Sequence, residues 1–402
     1  MPFFIGKDKE ARRAYGFDEV AIAPGEVTVN PEDVDLSIDI GPVHLKIPFL
    51  ASAMDAVVDV EFAAVLSKAG GLAVLNLDGV QTRYDDPIAA LERIVNAKDG
   101  EATRIVQEVY SKPVREELIA KRIKELKKAG AIAAVSTVPQ NAARYAPIVE
   151  KAGAEMFIIQ ATVVTARHIS KSSAPLDLKA LGKTLKIPFI VGNCVTYKSA
   201  LELMETGAAG ILVGVGPGSA CTSREVLGIG VPQVTAIADT VRARDDYFRK
   251  SSRHVAIIAD GGMVKSGDVC KAIACGADAV MMGGVFARAL EAPGGGYHWG
   301  MAMPSRYLPR GTRVRVGQTA PLRQILFGPS MDEDGRQNLT GALATCMGYV
   351  GATTVREFQM AEVIIAPEIK HEGKVLQRSQ RNQHEAQPVA TELGFSKHKA
   401  RG

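Results

Sequence analysis

The chain has 402 residues, of which 47% are hydrophobic and 5% aromatic, and it carries a net charge of +4 at pH 7. So small a charge argues against a protein that binds nucleic acid or a membrane surface. The first 17 residues are too charged for a secretory signal peptide, and no apolar stretch approaches the roughly 20 residues of a membrane-spanning helix.

Helices that end in Gly alternate with short apolar runs along most of the chain. The pattern is clearest at 127–137, 150–161, 204–215 and 273–284, where Gly-Ala suits a helix end and the next residues suit a buried parallel strand. Eight such runs begin near Ile47, Gly71, Ala131, Met156, Ile187, Ile211, Val255 and Ala279. Eight alternating units predict an α/β fold, a TIM (β/α)8 barrel, with a doubly wound open sheet as the alternative.

Two connections are too long for a minimal barrel. Residues 78–130, between the second and third strands, are charged and predicted to be helical. Residues 285–330 are rich in Gly, Pro and Arg, and we predict that they form a flap over the active site. We therefore divide the chain into a catalytic barrel over 1–370, which includes this flap, and a polar tail over 371–402.

The active site of a TIM barrel lies at the carboxyl ends of its strands. Polar or Gly-rich segments follow the apolar runs there, at 52–55, 160, 192–193, 214–223, 260–262 and 283–284. The last three include Gly-rich turns whose backbone N–H groups suit a phosphate, and Asp260 suits two ribose hydroxyls. The alternative is that these glycines only permit tight turns. Three such turns on one face favour a nucleotide site.

The five cysteines show no CxxC pair or zinc-ligand spacing, which fits a reducing cytoplasm. Cys270, Cys275 and Cys346 fall in helical patterns that predict inert thiols, and Cys194 follows the fifth strand. Cys221 ends a Gly-rich loop in which backbone donors and a nearby helix start favour the thiolate. It is the candidate nucleophile, with a purely structural thiol as the alternative.

The segment 214–224, Gly-Val-Gly-Pro-Gly-Ser-Ala-Cys-Thr-Ser-Arg, resembles the catalytic loop of the IMP dehydrogenase and GMP reductase superfamily. Further segments similar to family motifs are 17–20, 52–55, 230–233, 258–262, 281–284 and 300–302. Most IMP dehydrogenases carry two regulatory CBS domains where this chain has only residues 78–130, which are too few for them. The chain therefore resembles the short, CBS-lacking group of IMP-dehydrogenase-like proteins.

The resemblance implies oxidation of IMP to XMP with NAD+. Cys221 would attack C2 of IMP, hydride would pass to NAD+, and an Arg306–Tyr307 pair on the flap would promote hydrolysis of the resulting thioimidate. Ser223 completes the implied catalytic set. From the residues alone, Arg306 is one of several solvated arginines in the flap, because a guanidinium ordinarily stays protonated.

The resemblance also implies a set of ligand contacts. The substrate-binding residues would be Ser52, Met54, Gly218, Ser219, Asp260, Gly262, Gly283, Gly284 and Met301. The cofactor-binding residues would be Gln160, Asn193 and Gly214. By the same analogy, backbone carbonyls of Gly216, Gly218 and Cys221 would hold K+, and the chain would form a homotetramer or higher homo-oligomer.

Several positions depart from the family pattern. Gln160 stands where an acid usually holds the nicotinamide ribose, and Arg310 where an acid or amide contacts the base. Ser223 replaces the usual Thr and keeps its hydroxyl. His298 and Trp299 replace a Tyr-Arg pair before the Gly-Met turn. The nucleophile and nucleotide motifs are thus matched, whereas the cofactor contact and one phosphate contact are altered.

Two other functions compete with this one. GMP reductase uses the same cysteine to deaminate GMP with NADPH, but its Glu after the Gly-Met turn has no counterpart in residues 302–305, and the Arg306–Tyr307 pair favours hydrolysis. A catalytically silent paralogue that binds purine nucleotides is the second alternative. Gln160 and Arg310 support it, and the intact Cys221 opposes it. A class I aldolase is excluded, because no predicted strand end carries a Schiff-base lysine.

Overall fold

Eight parallel strands form a closed barrel in this computed structural model, which describes residues 3–171, 175–300 and 313–367. They are β1 (Phe49–Ala51), β2 (Leu72–Asn76), β3 (Ala134–Thr137), β4 (Met156–Gln160), β5 (Phe189–Cys194), β6 (Gly210–Val213), β7 (Ala256–Asp260) and β8 (Ala279–Met282). The last strand pairs with the first, with Val280 opposite Phe49, and this closes the barrel. The predicted (β/α)8 barrel is confirmed, and each strand begins within three residues of its predicted start.

Helices connect the strands. They are α1 (Val60–Ala69), α2 (Pro87–Val95), α3 (Ala102–Ser111), α4 (Glu116–Lys128), α5 (Pro139–Ala152), α6 (Leu178–Thr184), α7 (Tyr197–Met204), α8 (Ser223–Leu227), α9 (Gln233–Ser251), α10 (Ser266–Ala274), α11 (Leu322–Phe327), α12 (Leu339–Tyr349) and α13 (Val355–Phe358). The Asp59 side chain caps α1 by accepting the Phe62 N–H at 2.8 Å. Gly153 ends α5 in the left-handed conformation, as the Gly-Ala repeat at 150–161 predicts, and Gly70 ends α1 in the same conformation.

The barrel interior is apolar along its strands. Val74, Leu75, Ile158 and Leu212 are fully buried, and each contributes roughly 1.5–3 kcal/mol relative to an exposed side chain. An antiparallel ribbon of Ile38–Ile40 and Val43–Leu45 lies at the amino end of the barrel, where its turn contacts the residues just before β5 and β6. The carboxyl end is therefore the end at which polar residues are accessible.

Shorter elements surround the barrel. The remaining paired strands are Phe3–Phe4 with Glu10–Ala11, Val20–Ile22 with Val363–Ile365, and Tyr297–Trp299 with Arg313–Arg315. Single 3-10 turns cover Phe17–Glu19, Pro31–Asp33, Val80–Thr82, Asp99–Glu101 and Phe286–Arg288. None of the helices in the described ranges is long and apolar enough to cross a membrane.

The connection between β2 and β3 is helical, as predicted, and contains α2, α3 and α4. The apolar side chains of α2 and α3 form a cluster of their own outside the barrel core, which includes Leu91, Ile94, Val106 and Val109, whereas those of α4 join the barrel core. Trp299 belongs to the same cluster and is 1% exposed. The long connection is therefore packed against the ribbon that follows β8.

The predicted flap is described only at its base. Tyr297–Trp299 and Arg313–Arg315 pair as an antiparallel ribbon. The four flap residues assigned from the sequence, Met301, Arg306, Tyr307 and Arg310, lie outside the described residues, as does the predicted tail over 371–402.

Candidate active site

The loop that follows β6 crosses the carboxyl end of the barrel and lies against the end of β7. Gly214 has φ of +152°, and a Cβ atom there would come 2.3 Å from the Asp260 carbonyl oxygen. A Cβ atom on Gly262 would come 3.0 Å from Pro217 Cβ. Only glycine permits approaches this close, so these glycines bring the loop and the end of β7 together.

Cys221 is exposed on this loop. Its backbone N–H donates to the Gly218 carbonyl at 3.0 Å, which forms a tight turn before α8. Its Sγ lies 3.3 Å from the hydroxyl oxygen of the buried Ser223. The structure thus places an accessible thiol beside a hydroxyl that can donate a hydrogen bond to the thiolate.

The other cysteines lie in different surroundings. Burial raises the pKa of the Cys194 thiol to about 12 and that of Cys275 to about 11, although Lys271 lowers the latter. Cys270 lies in α10 and Cys346 in α12, as the helical patterns predict. Cys194 and Cys275 are therefore poor nucleophiles near neutral pH. The hydrogen bond with Cys270 lowers the pKa of Cys346, but Cys221 is the better candidate because it is the exposed cysteine at the carboxyl end of the barrel.

Asp260 ends β7 and is the centre of a buried polar cluster. Asn193 Nδ2 donates to its Oδ2 at 2.8 Å, and Gln160 Nε2 donates to the same oxygen at 2.9 Å. Burial raises the pKa of Asp260 to about 6, and both hydrogen bonds act in the opposite direction. Within the described ranges no hydrogen bond reaches Oδ1, so this oxygen is available to a ligand.

Gln160 keeps one polar atom for a ligand as well. Its Oε1 is buried and has no hydrogen-bond partner among the described residues. Because an unpaired buried acceptor is costly, the position suits a ligand that brings a donor. Two of the three predicted cofactor contacts, Gln160 and Asn193, therefore lie beside Asp260, and the third, Gly214, lies against its carbonyl.

The ends of β1 and β8 meet on the other side of the loop. The Ser52 N–H donates to the Met282 carbonyl at 3.0 Å. A Cβ atom on Gly283 would lie 2.5 Å from Met54 Sδ, and one on Gly284 would lie 3.3 Å from Ser219 Oγ. The predicted substrate contacts from three separate parts of the chain are thus brought together.

Two buried residues at this site were noted in the sequence only within segments similar to family motifs and were not assigned a role. His298 is 1% exposed, and its Nε2 lies 3.2 Å from Ser219 Oγ. Gln233 Nε2 donates to the carbonyls of Val213 and Asp260, which ties the ends of β6 and β7 together. Gln233 follows the Gly-Val-Pro segment at 230–232, and its polar side chain at the start of a helix was the available signal.

A second network links the site to the helical connection. The Tyr110 hydroxyl donates to the buried Asp55 carboxylate and accepts the Trp299 indole N–H at 2.8 Å. Asp55 also accepts the Val80 N–H at 3.1 Å and the Asn76 amide at 3.3 Å. Burial raises the pKa of Asp55 to about 6, against these hydrogen bonds. Asp55 directly follows Met54, one of the predicted substrate contacts, so the network fixes the backbone next to that residue.

The predicted cation site consists of backbone carbonyls. The Gly218 carbonyl already accepts the Cys221 N–H, although a carbonyl oxygen has a second lone pair. In the described part of the chain, no cluster of His, Cys, Asp or Glu could hold a metal ion. The K+ site therefore stays a prediction that rests on the carbonyls alone.

Comparison with known proteins identifies the family. The profile of the IMP dehydrogenase / GMP reductase domain matches residues 14–308. The crystal structure of an IMP dehydrogenase/GMP reductase-like protein from Corynebacterium glutamicum superposes with a TM-score of 0.86 at 38% identity. That match covers 90% of this chain and 97% of the other.

Relatives include proteins without a known activity. An uncharacterized oxidoreductase of Mycobacterium tuberculosis is 38% identical over 364 residues, which are 88% of this chain and 97% of the relative. The inosine-5'-monophosphate dehydrogenase of Borreliella burgdorferi is 29% identical, over 88% of this chain and 94% of the relative. The relatives of nearly equal length also support the expected absence of CBS domains.

Proposed function

The chain belongs to the IMP dehydrogenase / GMP reductase family, a premise from which we propose that it oxidises IMP to XMP with NAD+. One observation carries the proposal. The loop of Cys221 lies against the end of β7 at Asp260 on one side and against the turn after β8 at Gly284 on the other. A nucleophile between a ribose acceptor and a Gly-rich turn suits a nucleoside monophosphate whose base reacts.

We assign the parts of the nucleotide accordingly. Asp260 accepts hydrogen bonds from the ribose hydroxyls, beside Gly262. Ser219, Gly283 and Gly284 face the phosphate. Ser52, Met54, Gly218 and Met301 complete the contacts to the nucleotide, of which Met301 lies outside the described residues. The convergence of the ends of β1, β6, β7 and β8 supports this assignment.

The reaction has two steps at one carbon. The Cys221 thiolate adds to C2 of the purine, and the hydrogen on C2 leaves with its electron pair. Water then adds to C2, the C2–S bond breaks, and the sulfur keeps the electrons of that bond. IMP, NAD+ and water thus give XMP, NADH and a proton. Ser223, whose oxygen lies 3.3 Å from the sulfur, can donate a hydrogen bond to the thiolate.

When bound, NAD+ would accept the hydride from C2. The polar residues present fit its ribose, because Gln160 Oε1 is a buried acceptor without a partner among the described residues. An amide accepts one hydroxyl through this atom, whereas its Nε2 is already engaged by Asp260. We therefore propose that Gln160 and Asn193 orient the nicotinamide ribose, and that Gly214, which lies against the Asp260 carbonyl, contacts the cofactor beside them.

Arg306 and Tyr307 are proposed to activate the water in the second step. They lie outside the described residues, but the ribbon of 297–299 and 313–315 holds both ends of the segment that contains them. We further propose that residues 1–370 form one catalytic unit and that K+ binds the carbonyls of Gly216, Gly218 and Cys221. We also propose that the chain is cytoplasmic and forms a homotetramer or higher homo-oligomer.

Trapping the covalent intermediate tests this proposal. The chain is mixed with IMP and NAD+, quenched in acid during turnover, digested and analysed by mass spectrometry. We expect a nucleotide adduct on the peptide that contains Cys221, which Cys221→Ala abolishes. The matched control Cys275→Ala, at the end of α10, retains the adduct. An adduct that forms from GMP with loss of ammonia, but not from IMP, would instead identify a reductase.

A further inference from the structure

Two cysteines meet where helices α10 and α12 pack against each other. Cys270 lies in α10 and is 5% exposed, whereas Cys346 lies in α12 and is half-buried. The Cys270 Sγ lies 3.8 Å from the carbonyl oxygen of Ala342, which is one turn before Cys346 in α12. Because a helical side chain leans over the turn that precedes it, the Cys346 sulfur lies on that same turn. The two thiols are therefore in contact, and a hydrogen bond joins them.

The contact makes the two thiols chemically unequal. The hydrogen bond raises the pKa of Cys270, and burial acts in the same direction, so this thiol stays protonated near neutral pH. The same hydrogen bond lowers the pKa of Cys346, although burial opposes it. Cys346 is thus the sulfur that more readily becomes a thiolate, and its partial exposure lets a small molecule reach it. Cys270 is a buried second thiol beside it.

We propose that Cys346 and Cys270 form a reversible oxidation site, in which a peroxide oxidises Cys346 and Cys270 then closes a disulfide between α12 and α10. The site is separate from Cys221, and the proposal does not depend on the proposed function. The helical patterns of the sequence predict inert thiols at both positions, but they do not show that the two helices bring these thiols together. A reducing cytoplasm is compatible with such a bond, because cytoplasmic disulfides are usually transient.

The reaction consists of two displacements and consumes one peroxide. The Cys346 thiolate attacks one oxygen of hydrogen peroxide, the O–O bond breaks, and hydroxide leaves with its electron pair, which makes Cys346 a sulfenic acid. The Cys270 sulfur then attacks the Cys346 sulfur, the S–O bond breaks, and a second hydroxide leaves as the S–S bond forms. The two thiol protons convert both hydroxides to water. Two thiols thus lose two electrons to the peroxide, and a reduced dithiol can restore them by exchange.

Cys275 offers a matched comparison within the same helix. It ends α10 and, like Cys346, is half-buried. Burial raises the pKa of its thiol to about 11, against the charge of Lys271. A half-buried thiol that stays protonated reacts slowly with peroxide. Oxidation of Cys346 but not of Cys275 would therefore reflect the contact with Cys270 and not exposure alone.

Peptide mapping after peroxide treatment tests this proposal, because trypsin places each of the five cysteines on a different peptide. The reduced chain and its Cys221→Ala variant, which lacks the exposed thiol, are treated with one equivalent of hydrogen peroxide, alkylated, and digested without reduction. We expect mass spectrometry to find peptide 266–271 joined to peptide 337–356, two hydrogens lighter than their sum. The link forms to the same extent at lower protein concentration, since it is intramolecular, and a dithiol separates the two peptides.

Two variants separate the roles of the thiols. Cys270→Ser is expected to abolish the link and to leave the sulfenic acid on Cys346, so that labelling of Cys346 by dimedone rises about tenfold or more. The control Cys275→Ser retains the link. Peroxide that leaves Cys270 and Cys346 free for alkylation, or that links either of them equally to Cys275, would overturn the proposal. The mapping needs neither variant, so it decides the question even if Cys270→Ser does not fold.

Discussion

At the scale of single residues, the ionisation of Asp260 is expected to control nucleotide binding. Its carboxylate accepts hydrogen bonds from Gln160 and Asn193, and burial raises its pKa to about 6. Ribose hydroxyls bind the ionised form more strongly, so the contribution of Asp260 to affinity is present above pH 6 and lost as the pH falls through it.

Asp260→Asn is therefore expected to weaken IMP binding about tenfold to a hundredfold at pH 8 and hardly at pH 5. The measurement is the ratio of the dissociation constants of variant and unsubstituted protein across this range. Asp39→Asn, in the exposed hairpin at the amino end, is the control. A ratio that does not change with pH would show that the carboxylate does not bind the nucleotide in its ionised form.

The sequence predicts those site residues that stand next to a recognisable local pattern in the chain. Cys221 follows a run of glycines, and Asp260 follows an apolar strand. The contacts of His298 with Ser219 and of Tyr110 with Asp55 could not be predicted in this way, because the partners lie 79 and 55 positions apart along the chain. Such contacts depend on the closed barrel and on the ribbon that packs against it.

At the scale of elements, the helical connection between β2 and β3 holds the base of the flap. Arg313 Nη1 donates to the carbonyls of Ile94 and Val95, both at 2.7 Å, at the end of α2. Trp299, on the opposite strand of the ribbon, donates to Tyr110 of α3. Both strands of the ribbon are therefore fixed to the same connection.

Removal of the Tyr110 hydroxyl tests this role. Tyr110→Phe leaves the Trp299 N–H without its acceptor and removes one of the two hydrogen bonds to Asp55 Oδ2, which keeps the one from the Asn76 amide. We expect this to cost about 1–3 kcal/mol. We expect a lower free energy of unfolding in urea and, because the flap base is loosened, a lower kcat. Tyr349→Phe is the control, since that ring is 63% exposed. Unchanged stability would mean that the network does not hold the connection.

The sequence predicts the helical character of this connection but not its role. Charged residues on one face and apolar residues on the other indicate helices over 78–130. Nothing in that pattern indicates that the apolar faces of α2 and α3 pack against Trp299 while that of α4 packs against the barrel. The packing partner is set by the tertiary fold, in which residues 297–299 pass beside α2 and α3.

At the scale of the whole molecule, a buried ion pair joins several parts of the barrel at its amino end. Asp278 accepts the Ile257 N–H of β7 at 2.7 Å, Arg244 of α9 at 3.1 Å and Gln359 at 3.1 Å. Burial alone would raise its pKa, but the hydrogen bond from His254 and the charge of Arg244 lower it to about 2. The carboxylate thus favours the folded state.

Acid is expected to remove this contribution. Because the pKa of Asp278 is about 2 in the folded chain and 3.8 for an unperturbed aspartic acid side chain, the stability is present above pH 4 and lost as the pH falls towards 2. Asp278→Asn should cost about 2 kcal/mol or more at pH 7 and roughly half as much at pH 3, where the carboxyl of the folded chain is still mostly ionised. Urea unfolding at both pH values measures this, with Asp39→Asn as the control. An equal loss at both pH values would exclude the ionic contribution.

The overall architecture follows closely from the sequence, because the eight strands are nearly continuous apolar runs that a parallel barrel buries on both faces. The Gly residues after β6, β7 and β8 also indicate the end of the barrel at which the site lies. The sequence does not determine which polar groups meet across that end. The contacts of Gln160 and Asn193 with Asp260 require the curvature of the closed barrel.

The most direct measurement of the proposed activity is the appearance of NADH when the purified chain meets IMP and NAD+ in the presence of K+. We predict NADH and XMP in equal amounts, and a loss of roughly a thousandfold or more in kcat for Cys221→Ala. NADH formation that survives this substitution would contradict the assigned nucleophile. No NADH from IMP, together with consumption of NADPH in the presence of GMP, would show that the chain is a reductase.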